Sequence, residues 1–349
     1  MTSTRVIRWG MLGTGRVASL FAAALHSLPG SRLVAVGSRN AARAQQFATM
    51  HHIDRHYDSY EALAGDKDLD IVYIATPNNL HLAHALLCLT RGRHILVEKP
   101  LAIDAGEAAT IIAAAQQRGL FCMEAMWARF APPYQALQQQ LAQARAGSDA
   151  GAEWSFSATL GFAHRFDPAD RLFDPALGGG VTLDLAVYPL SLLTGLFGPA
   201  QVRDVQVLRG PTGVDEELEL SLHFAGGPSG TVMCSFRREL ANELTLNDRR
   251  VAFTLAPLYM PTRFDRQTPN TPTAAASMTT LKRIWRRLSQ RASAAPASPL
   301  QGYQFEAQAV ADCLRAGMTE CPAMSHDASL QVMRLLDAIR AQAGAYQSS

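Results

Sequence analysis

The chain is poor in cysteine, and the cysteines that it has are far apart. Its 349 residues include five, an odd number, with no Cys-x-x-Cys pair and no histidine cluster close to them. This spacing excludes the usual ligand pattern of a zinc site and does not indicate a disulfide framework. We therefore expect reduced thiols, no bound metal and a cytoplasmic location.

The chain also lacks a marked excess of charge of either sign. Lys and Arg number 32 against 30 Asp and Glu, a net charge of +2, so no electrostatic feature favours nucleic acid as a partner. The N-terminal residues have no apolar signal core, and we find no apolar run approaching the ~18 residues of a membrane span. With 48% hydrophobic residues, the composition predicts a soluble globular chain with room for two domains.

One long stretch has no acidic residue at all. Between Asp265 and Glu306 the charged side chains are basic, and Thr, Pro, Ala and Ser residues surround them. We predict a basic insertion at 266–300 that holds a short helix. A solvated loop, or contact with an acidic patch of a neighbouring subunit, is favoured over membrane binding, because one short helix with one Trp buries little apolar surface. The cluster consists of Lys282, Arg283, Arg286, Arg287 and Arg291.

What the sequence does contain begins with a glycine turn near its start. An apolar run that ends at Leu12 leads into Gly13, Gly15 and Ala18 in the pattern G-x-G-x-x-A, and a helical pattern follows. The first glycine permits the turn, the second lets a pyrophosphate approach backbone N–H groups, and the alanine lets helix and strand pack closely. A dinucleotide site is favoured over a plain strand-to-helix turn. Its predicted contacts are Gly13, Thr14, Gly15, Arg16 and Val17.

The end of the second predicted strand indicates which dinucleotide binds. An NAD site usually has Asp or Glu there to bind the ribose 2′-hydroxyl, whereas this chain has Ser38, Arg39 and Asn40, with Arg43 one turn later. A carboxylate would repel a 2′-phosphate, while a hydroxyl and guanidinium groups would bind it. We predict NADP(H) rather than NAD(H). In the alternative, Ser38 and Asn40 only cap the next helix and Arg39 is solvated.

A buried apolar run at 70–75 predicts a parallel strand with polar residues at its end. Ligands bind at the carboxyl ends of the strands in an open α/β sheet. The following helix contains His81, which by itself is typical of a first-turn surface histidine. The predicted cofactor contacts here are Ala75, Thr76, Pro77, Asn78 and His81.

The next predicted strand, 94–97, ends in Glu98, Lys99 and Pro100. Pro100 disfavours helical geometry at Lys99 and removes a backbone donor, so the lysine side chain is free to point out of the sheet end. There it would lie near a nicotinamide, if the glycine turn holds the pyrophosphate. A solvated lysine paired with Glu98 is equally compatible with this stretch.

The second half of the chain has a different pattern. Segments 153–162, 202–208, 218–224, 230–237 and 249–255 alternate with period two and have little helix between them. They predict one mostly antiparallel sheet with a helix inserted at 181–197. Three glycines, which would let the helix start approach a ligand, precede Asp184 and Tyr188 on one helix face. A buried Tyr bonded to a nearby Asp is the alternative.

Together these motifs resemble the glucose-fructose oxidoreductase/inositol dehydrogenase (Gfo/Idh/MocA) family over nearly the whole chain apart from the insertion. The chain is most similar to the branch of dimeric dihydrodiol dehydrogenases and NADP-dependent D-xylose dehydrogenases, in which Tyr188 replaces a common His. It differs from the family in having Ala186 where Gly is usual. The motifs that carry the resemblance to this branch are Met123-Glu124-Ala125-Met126-Trp127-x-Arg129-Phe130, Arg171-Leu172-Phe173, Gly178-Gly179-Gly180 and Gly302-Tyr303-x-x-Glu306-Ala307.

The resemblance implies an α/β fold, with a doubly wound Rossmann domain at 1–125 and an α+β domain at 126–349. The large open sheet of the second domain would form a homodimer or a higher homo-oligomer, and the last helices would pack back on the first domain. It also implies an NADP(H)-dependent oxidoreductase acting on a sugar, diol or related small molecule. A catalytically silent NADP-binding sensor or scaffold protein is the alternative.

The resemblance further implies that Lys99, Asp184 and Tyr188 face the nicotinamide. For hydride transfer we expect Tyr188 to be the general acid/base, with its pKa lowered by Lys99. Asp184 would orient Lys99 or the substrate hydroxyl. Trp127 and Arg171 would shape the substrate pocket, and the further cofactor contacts would be Glu98, Lys99, Trp127 and Arg129.

Overall fold

The computed structural model describes residues 5–146, 153–268 and 302–345. The predicted basic insertion lies outside the described residues from position 269 onward, and so does its basic helix at 282–291.

The first half of the chain is a six-stranded sheet in the order β3-β2-β1-β4-β5-β6, with every neighbouring pair parallel. Apart from the polar edge strand β3, the strands are largely apolar, as is usual for parallel strands buried on both faces. The strand order reverses between β1 and β4. In open α/β sheets, ligands bind in the crevice outside the carboxyl ends of the strands at such a point. Its strands are β1 (Ile7–Leu12), β2 (Ser31–Gly37), β3 (Arg55–Tyr57), β4 (Ile71–Ile74), β5 (His94–Glu98) and β6 (Cys122–Ala125).

Helices connect these strands and confirm the predicted doubly wound arrangement. Capping side chains set several of the helix starts: Asp104, for example, accepts a hydrogen bond from the Glu107 N–H at 2.8 Å. Strand β3 is absent from the sequence prediction because three residues are too few to show an alternating pattern. The helices are α1 (Arg16–His26), α2 (Ala41–Met50), α3 (Tyr60–Gly65), α4 (His81–Thr90) and α5 (Ala105–Gln117).

The second sheet has seven strands in the order β13-β12-β11-β7-β10-β9-β8. All neighbouring pairs are antiparallel except β7 and β10, so the predicted mostly antiparallel sheet is confirmed. The helix α6 (Pro132–Ala146) leads into it. The strands are β7 (Ser155–Gly161), β8 (Ala200–Arg209), β9 (Asp215–Phe224), β10 (Ser229–Ser235), β11 (Glu243–Asn247), β12 (Ala252–Ala256) and β13 (Arg263–Gln267).

Two of these strands, β11 and β13, are missing from the sequence prediction, and the strand predicted at 249–255 begins later, at Ala252. Strand β13 is polar and at the sheet edge, so it has no buried face to produce an apolar alternation. Strand β11 alternates over only five residues.

The inserted helix begins with a π-helical turn, Thr182–Ala186, and continues as α7 (Val187–Phe197). Among the described residues, the segment Pro175–Phe197 is long and apolar enough to cross a membrane by length and composition, with a mean hydropathy of 1.5. This corrects our expectation that no segment is long enough. However, 78% of its apolar window is buried inside the protein, as for the core helix of a globular domain.

The last two helices, α8 (Tyr303–Arg315) and α9 (His326–Ala345), return to the first half of the molecule. Helix α8 packs against α1, and α9 contacts both α5 and α7. The Asp337 carboxylate accepts from the Ala105 N–H at 2.9 Å, and Arg340 donates to the Ile103 carbonyl at 2.7 Å. The end of the described chain is thereby bonded to the start of α5.

Candidate active site

The glycine turn after β1 is shaped to approach a ligand closely. Gly13 has a φ of +111°, and a Cβ there would lie 2.6 Å from the Ala75 carbonyl oxygen, so the position requires glycine. A Cβ on Gly15, in contrast, would meet no protein atom within 4 Å. Open space over a glycine at the start of α1 fits a pyrophosphate group on the helix N-terminus.

At the end of β2, part of the capping alternative is correct. The Asn40 side chain accepts from the Arg43 N–H at 3.0 Å, and the Ser38 hydroxyl accepts from the Asn40 N–H at 3.3 Å. The side chains of Arg39 and Arg43 are exposed. In the described ranges neither guanidinium has a hydrogen bond or ion pair with the protein, so both are available to an anion.

His81 is fully buried, so it is not a surface histidine. Its Nδ1 lies 2.9 Å from the Pro100 carbonyl oxygen and its Nε2 lies 2.9 Å from that of Thr76. Burial lowers the pKa of His81 to about 4, whereas the two carbonyl oxygens favour the protonated ring. His81 therefore links the turn after β4 to the turn after β5, rather than offering both nitrogens to a ligand.

The three glycines before the inserted helix make room for protein and not for a ligand, contrary to our expectation. A Cβ on Gly179 would lie 2.7 Å from the Arg171 carbonyl oxygen, and one on Gly180, at φ +110°, would lie 2.1 Å from Asp215 Oδ1. Gly178 accepts a hydrogen bond from Asn78 Nδ2 at 3.3 Å. This last contact joins the turn after β4 to the second domain.

Asp215 holds the start of the inserted helix in place and was not among the predicted site residues. Its Oδ2 accepts from the Thr182 N–H at 2.6 Å and from the Thr182 hydroxyl at 2.5 Å. Asp215 begins β9, so the second sheet positions the turn that carries Asp184. No local pattern links residues so far apart in the chain.

Lys99 and Asp184 meet across the two halves of the molecule. The Lys99 Nζ donates to Asp184 Oδ1 at 3.1 Å and to the Asp184 carbonyl oxygen at 2.8 Å. Arg171 donates to the same Oδ1 at 3.3 Å, and its side chain is 49% exposed, against 12% for the other two. Lys99 is therefore not a solvated lysine, and Asp184 is bonded to two cations.

The charges of this cluster stabilise one another. Burial raises the pKa of Asp184, but Lys99 and Arg171 outweigh it, so that the pKa of this carboxyl is lowered on balance. Burial lowers the pKa of Lys99, and Asp184 and Tyr188 outweigh that effect, so the pKa of Lys99 is raised. Both groups are charged at neutral pH.

Tyr188 lies beside this ion pair, with the Lys99 Nζ 4.7 Å from the centre of its ring. Its hydroxyl oxygen accepts from the indole Nε1–H of Trp127 at 3.2 Å. Burial raises the pKa of Tyr188 more than Lys99 and Trp127 lower it, so the pKa is raised on balance. The expected effect of Lys99 is present, but our expectation of a net lowered pKa is wrong, because it left out desolvation.

Trp127 packs against Tyr303, which was not among the predicted site residues. Its ring stacks on Tyr303 with centroids 4.7 Å apart and an interplanar angle of 4°. Gly302 makes this approach possible, since a Cβ there would lie 1.8 Å from Trp127 Cε3. Tyr259 contacts Trp127 edge to face at 6.3 Å. The Gly302-Tyr303 motif was the one signal that could have revealed this contact.

Arg129 is buried between the two halves of the molecule. Its Nη1 donates to the Met324 sulfur at 3.0 Å, and Gly195 of α7 backs the guanidinium so closely that a Cβ would lie 2.1 Å from Nη2. The residue packs on the core helix, and its predicted contact with the cofactor stays a prediction.

Comparison with known proteins agrees with this architecture. Residues 7–126 match a family described as "Oxidoreductase family, NAD-binding Rossmann fold", and residues 134–251 match the "GFO/IDH/MocA C-terminal domain". The trans-1,2-dihydrobenzene-1,2-diol dehydrogenase of Bos taurus is 32% identical over 348 residues, which cover 97% of each chain. The human enzyme of that name is also 32% identical over 348 residues, again 97% of each chain.

Solved structures show the same fold. A 3-ketoreductase from Actinomadura kijaniata in complex with NADP and TDP-benzene superposes with a TM-score of 0.78 at 21% identity, covering 96% of this chain and 97% of that one. A levoglucosan dehydrogenase in complex with NADH and levoglucosan gives 0.78 at 19% identity and covers 97% of each chain. The fold and the site thus define an oxidoreductase with a nicotinamide-binding Rossmann domain. The chain belongs to the Gfo/Idh/MocA family.

Proposed function

We propose that this protein is an NADP(H)-dependent dehydrogenase or reductase that transfers a hydride between the nicotinamide and a carbinol or carbonyl carbon of a sugar, diol or related small molecule. The observation that carries this proposal is the buried cluster of Lys99, Asp184 and Tyr188. The cluster sits at the carboxyl edge of the parallel sheet, where ligands bind in such folds. Names of the relatives, which include diol and sugar-derivative oxidoreductases, support the substrate class.

The residues at the end of β2 support NADP(H) as the cofactor. No carboxylate follows this strand, the guanidinium groups of Arg39 and Arg43 have no protein partner in the described ranges, and Ser38 adds a hydroxyl. Gly13, Gly15 and the start of α1 would hold the pyrophosphate. When bound, the nicotinamide supplies the hydride donor or acceptor.

In the proposed reaction Tyr188 removes or returns the proton of the substrate hydroxyl. Deprotonated Tyr188 would be stabilised by the Lys99 ammonium group and by the indole N–H of Trp127. Asp184 keeps Lys99 in place and charged. Arg171, the most exposed group of the cluster, is positioned to contact polar groups of the substrate.

Arg39→Ala is expected to lower NADPH affinity by roughly 10- to 100-fold, the value of one charge-assisted hydrogen bond or two. NADH affinity should hardly change, because NADH lacks the 2′-phosphate. Fluorescence titration with both cofactors measures this difference. Arg32→Ala, an exposed arginine at the opposite end of β2, is the matched control. Equal affinity of the unmodified protein for NADPH and NADH would refute the choice of cofactor.

Trp127→Phe keeps an aromatic ring stacked on Tyr303 and removes the indole N–H that donates a hydrogen bond to the Tyr188 hydroxyl. For oxidation of the substrate, we expect the pKa of the general base to rise and kcat at neutral pH to fall by roughly 10- to 150-fold, because a hydrogen bond to a charged group contributes about 1.5–3 kcal/mol. The pH profile of kcat tests this, with Trp154→Phe, a tryptophan packed on Phe253 in the second domain, as the control. A fall in kcat with no displacement of the pH profile would contradict the role of this hydrogen bond.

An absorbance screen that follows NADPH over sugars, trans-diols and their carbonyl counterparts tests the proposed reaction. Turnover that disappears in Tyr188→Phe supports the enzyme. The second candidate, an NADP-binding sensor or scaffold of the same fold, is supported by tight NADPH binding with no turnover of any compound. The ion-paired and buried state of Lys99 and Asp184 favours the enzyme.

We also propose a homodimer formed through the second sheet and a cytoplasmic location. On β9 the side chains alternate between buried and partly exposed, so this strand has a second face that is open to a partner. All five cysteines are free and buried, which is compatible with a reducing compartment. Light scattering coupled to gel filtration tests the dimer, and a monomeric mass would refute it.

A further inference from the structure

Three glutamates lie close enough to interact with one another, and one of them, Glu98, also interacts with Lys99 and Tyr188. The proposed mechanism assigns a role to none of their carboxyl groups. Glu98 ends β5, Glu124 lies in β6 and Glu306 lies in α8. Glu124 is 1% exposed and Glu306 is 0% exposed, while Glu98 is partly buried. Three carboxylates in one apolar region would be costly unless each one had donors or a cation.

The three carboxyl groups differ in the number of donors that they receive. Glu98 accepts from the Tyr73 hydroxyl and, at 3.2 Å, from the Lys99 N–H, which suits a carboxylate. Glu124 accepts from the Leu101 N–H at 3.1 Å. Neither oxygen of Glu306 has a hydrogen-bond partner among the described residues, and no cation there lies within ion-pair distance of it.

The groups around Glu306 also favour its protonated form. Burial raises its pKa well above the usual range, and the neighbouring Glu98, Glu124 and Cys321 raise it further, with no cation acting against them. Burial raises the pKa of Glu124 to about 7, against the effects of Ser329, Leu101 and Arg129. The other titratable and charged groups that interact with the three glutamates are Tyr73, Lys99, Cys122, Arg129, Arg171, Tyr188, Tyr303 and Cys321.

We propose that Glu306 is a positioning residue for the reaction of the proposed function, on which this inference rests: at neutral pH it is an uncharged carboxylic acid, and it so limits the negative charge beside Glu98, the glutamate that acts on Lys99 and Tyr188. Glu98 already disfavours a deprotonated Tyr188 and attracts the Lys99 ammonium group. A second fixed negative charge beside Glu98 would strengthen both effects. Glu306 acts through Glu98 and touches none of the reacting atoms.

Glu306→Gln mimics the uncharged acid at every pH and provides the test. A raised pKa in the folded state means that the unfolded chain releases this proton at lower pH than the folded one. The contribution of Glu306 to stability is therefore fully present below the unfolded pKa of about 4.3 and is lost as the pH rises toward the folded value. We expect Glu306→Gln to raise Tm relative to the unmodified protein by several degrees more at about pH 8 than at about pH 5.

Glu153→Gln, an exposed glutamate before β7, is the matched control and should show no such pH dependence. A Tm difference for Glu306→Gln that does not change with pH overturns the proposal. If the variant fails to fold, infrared spectroscopy of the unmodified protein decides: the carbonyl band of a protonated carboxylic acid should remain at about pH 8, where Glu124, with its pKa of about 7, has largely lost its proton. The absence of this band overturns the proposal.

The kinetic arm separates a positioning role from a merely structural one. In the unmodified protein Glu306 would ionise only in alkaline solution, where its negative charge would disfavour a deprotonated Tyr188. We therefore expect Glu306→Gln to displace the alkaline limb of the pH profile of kcat to lower pH. A uniform change of kcat at every pH, or an unchanged alkaline limb, overturns the positioning role. No turnover by the unmodified protein would instead refute the proposed function, and the stability and infrared measurements do not depend on turnover.

Discussion

Tyr188→Phe is expected to lower kcat by about 10²- to 10⁴-fold, the usual contribution of a general acid or base. The variant keeps the ring under the Lys99 ammonium group and loses only the hydroxyl, so NADPH affinity should change little. The free energy of unfolding should fall by about 1–3 kcal/mol, because the buried Trp127 N–H loses its acceptor. The measurement is the steady-state rate over a pH range with the best substrate from the screen. Tyr259→Phe removes a phenol hydroxyl from the ring next to Trp127 and is the matched control.

The turnover of Lys99→Met, compared with that of Tyr188→Phe, distinguishes Tyr188 from Lys99 as the proton carrier. If Tyr188 carries the proton, the lysine variant keeps a residual rate with a strongly raised alkaline pKa, because the cation that favours a deprotonated Tyr188 is gone. Near-normal turnover in Tyr188→Phe together with abolished turnover in Lys99→Met would make Lys99 the proton carrier, contrary to the proposed mechanism.

Asp184→Ala is expected to cost about 3–5 kcal/mol of the free energy of unfolding, because it leaves the buried Lys99 ammonium group without its partner. Arg171 is half exposed and should contribute little to the loss. The pKa of Asp184 is lowered, so its contribution is present above the unfolded pKa of about 3.9 and is lost as the pH falls through the folded value. The pKa of Lys99 is raised, so its contribution is lost only in strongly alkaline solution. The cost should therefore be constant around neutral pH.

A double-mutant cycle tests the origin of this cost. Asp184→Ala combined with Lys99→Met should be less destabilising than Asp184→Ala alone, because no uncompensated buried charge remains. Denaturant unfolding at neutral pH measures the three variants. If the two costs simply add, the ion pair is not the source of the stability, and Asp184 has another role in the core.

Local sequence pattern was sufficient for the parts of the fold that depend on short-range order. The apolar strands, the glycine turn at Gly13 and the polar strand ends at Thr76 and Lys99 follow from residue type and order alone. The meeting of Lys99 with Asp184 was accessible only through the family resemblance, since the two residues belong to different halves of the chain. The cluster of Lys99, Asp184 and Tyr188 is the part of the site where this resemblance and the geometry agree.

The parts that could not be predicted depend on contacts between distant segments. The stacking of Tyr303 on Trp127 and the bond from Asp215 to Thr182 require the complete packing of the molecule. The glycines before the inserted helix predicted space for a ligand. In the structure, backbone atoms and Asp215 fill the space beside Gly179 and Gly180. The pKa of Tyr188 differs from the expectation for a related reason: the family resemblance places a cation near the phenol, but neither the resemblance nor the sequence gives the depth of its burial.

The position of β7 in the second sheet has a consequence for folding on the ribosome. This strand lies between β10 and β11, so both of its hydrogen-bonding edges wait for residues 229–247 to be synthesised. Until then a nascent chain exposes both open edges of a strand with one apolar face, the kind of surface at which chains associate wrongly. The parallel sheet, built largely from neighbouring segments, can form earlier. The second domain, and with it Asp184 and Tyr188, should therefore be assembled late, and slow translation before residue 229 would prolong the period in which the chain is at risk of aggregation.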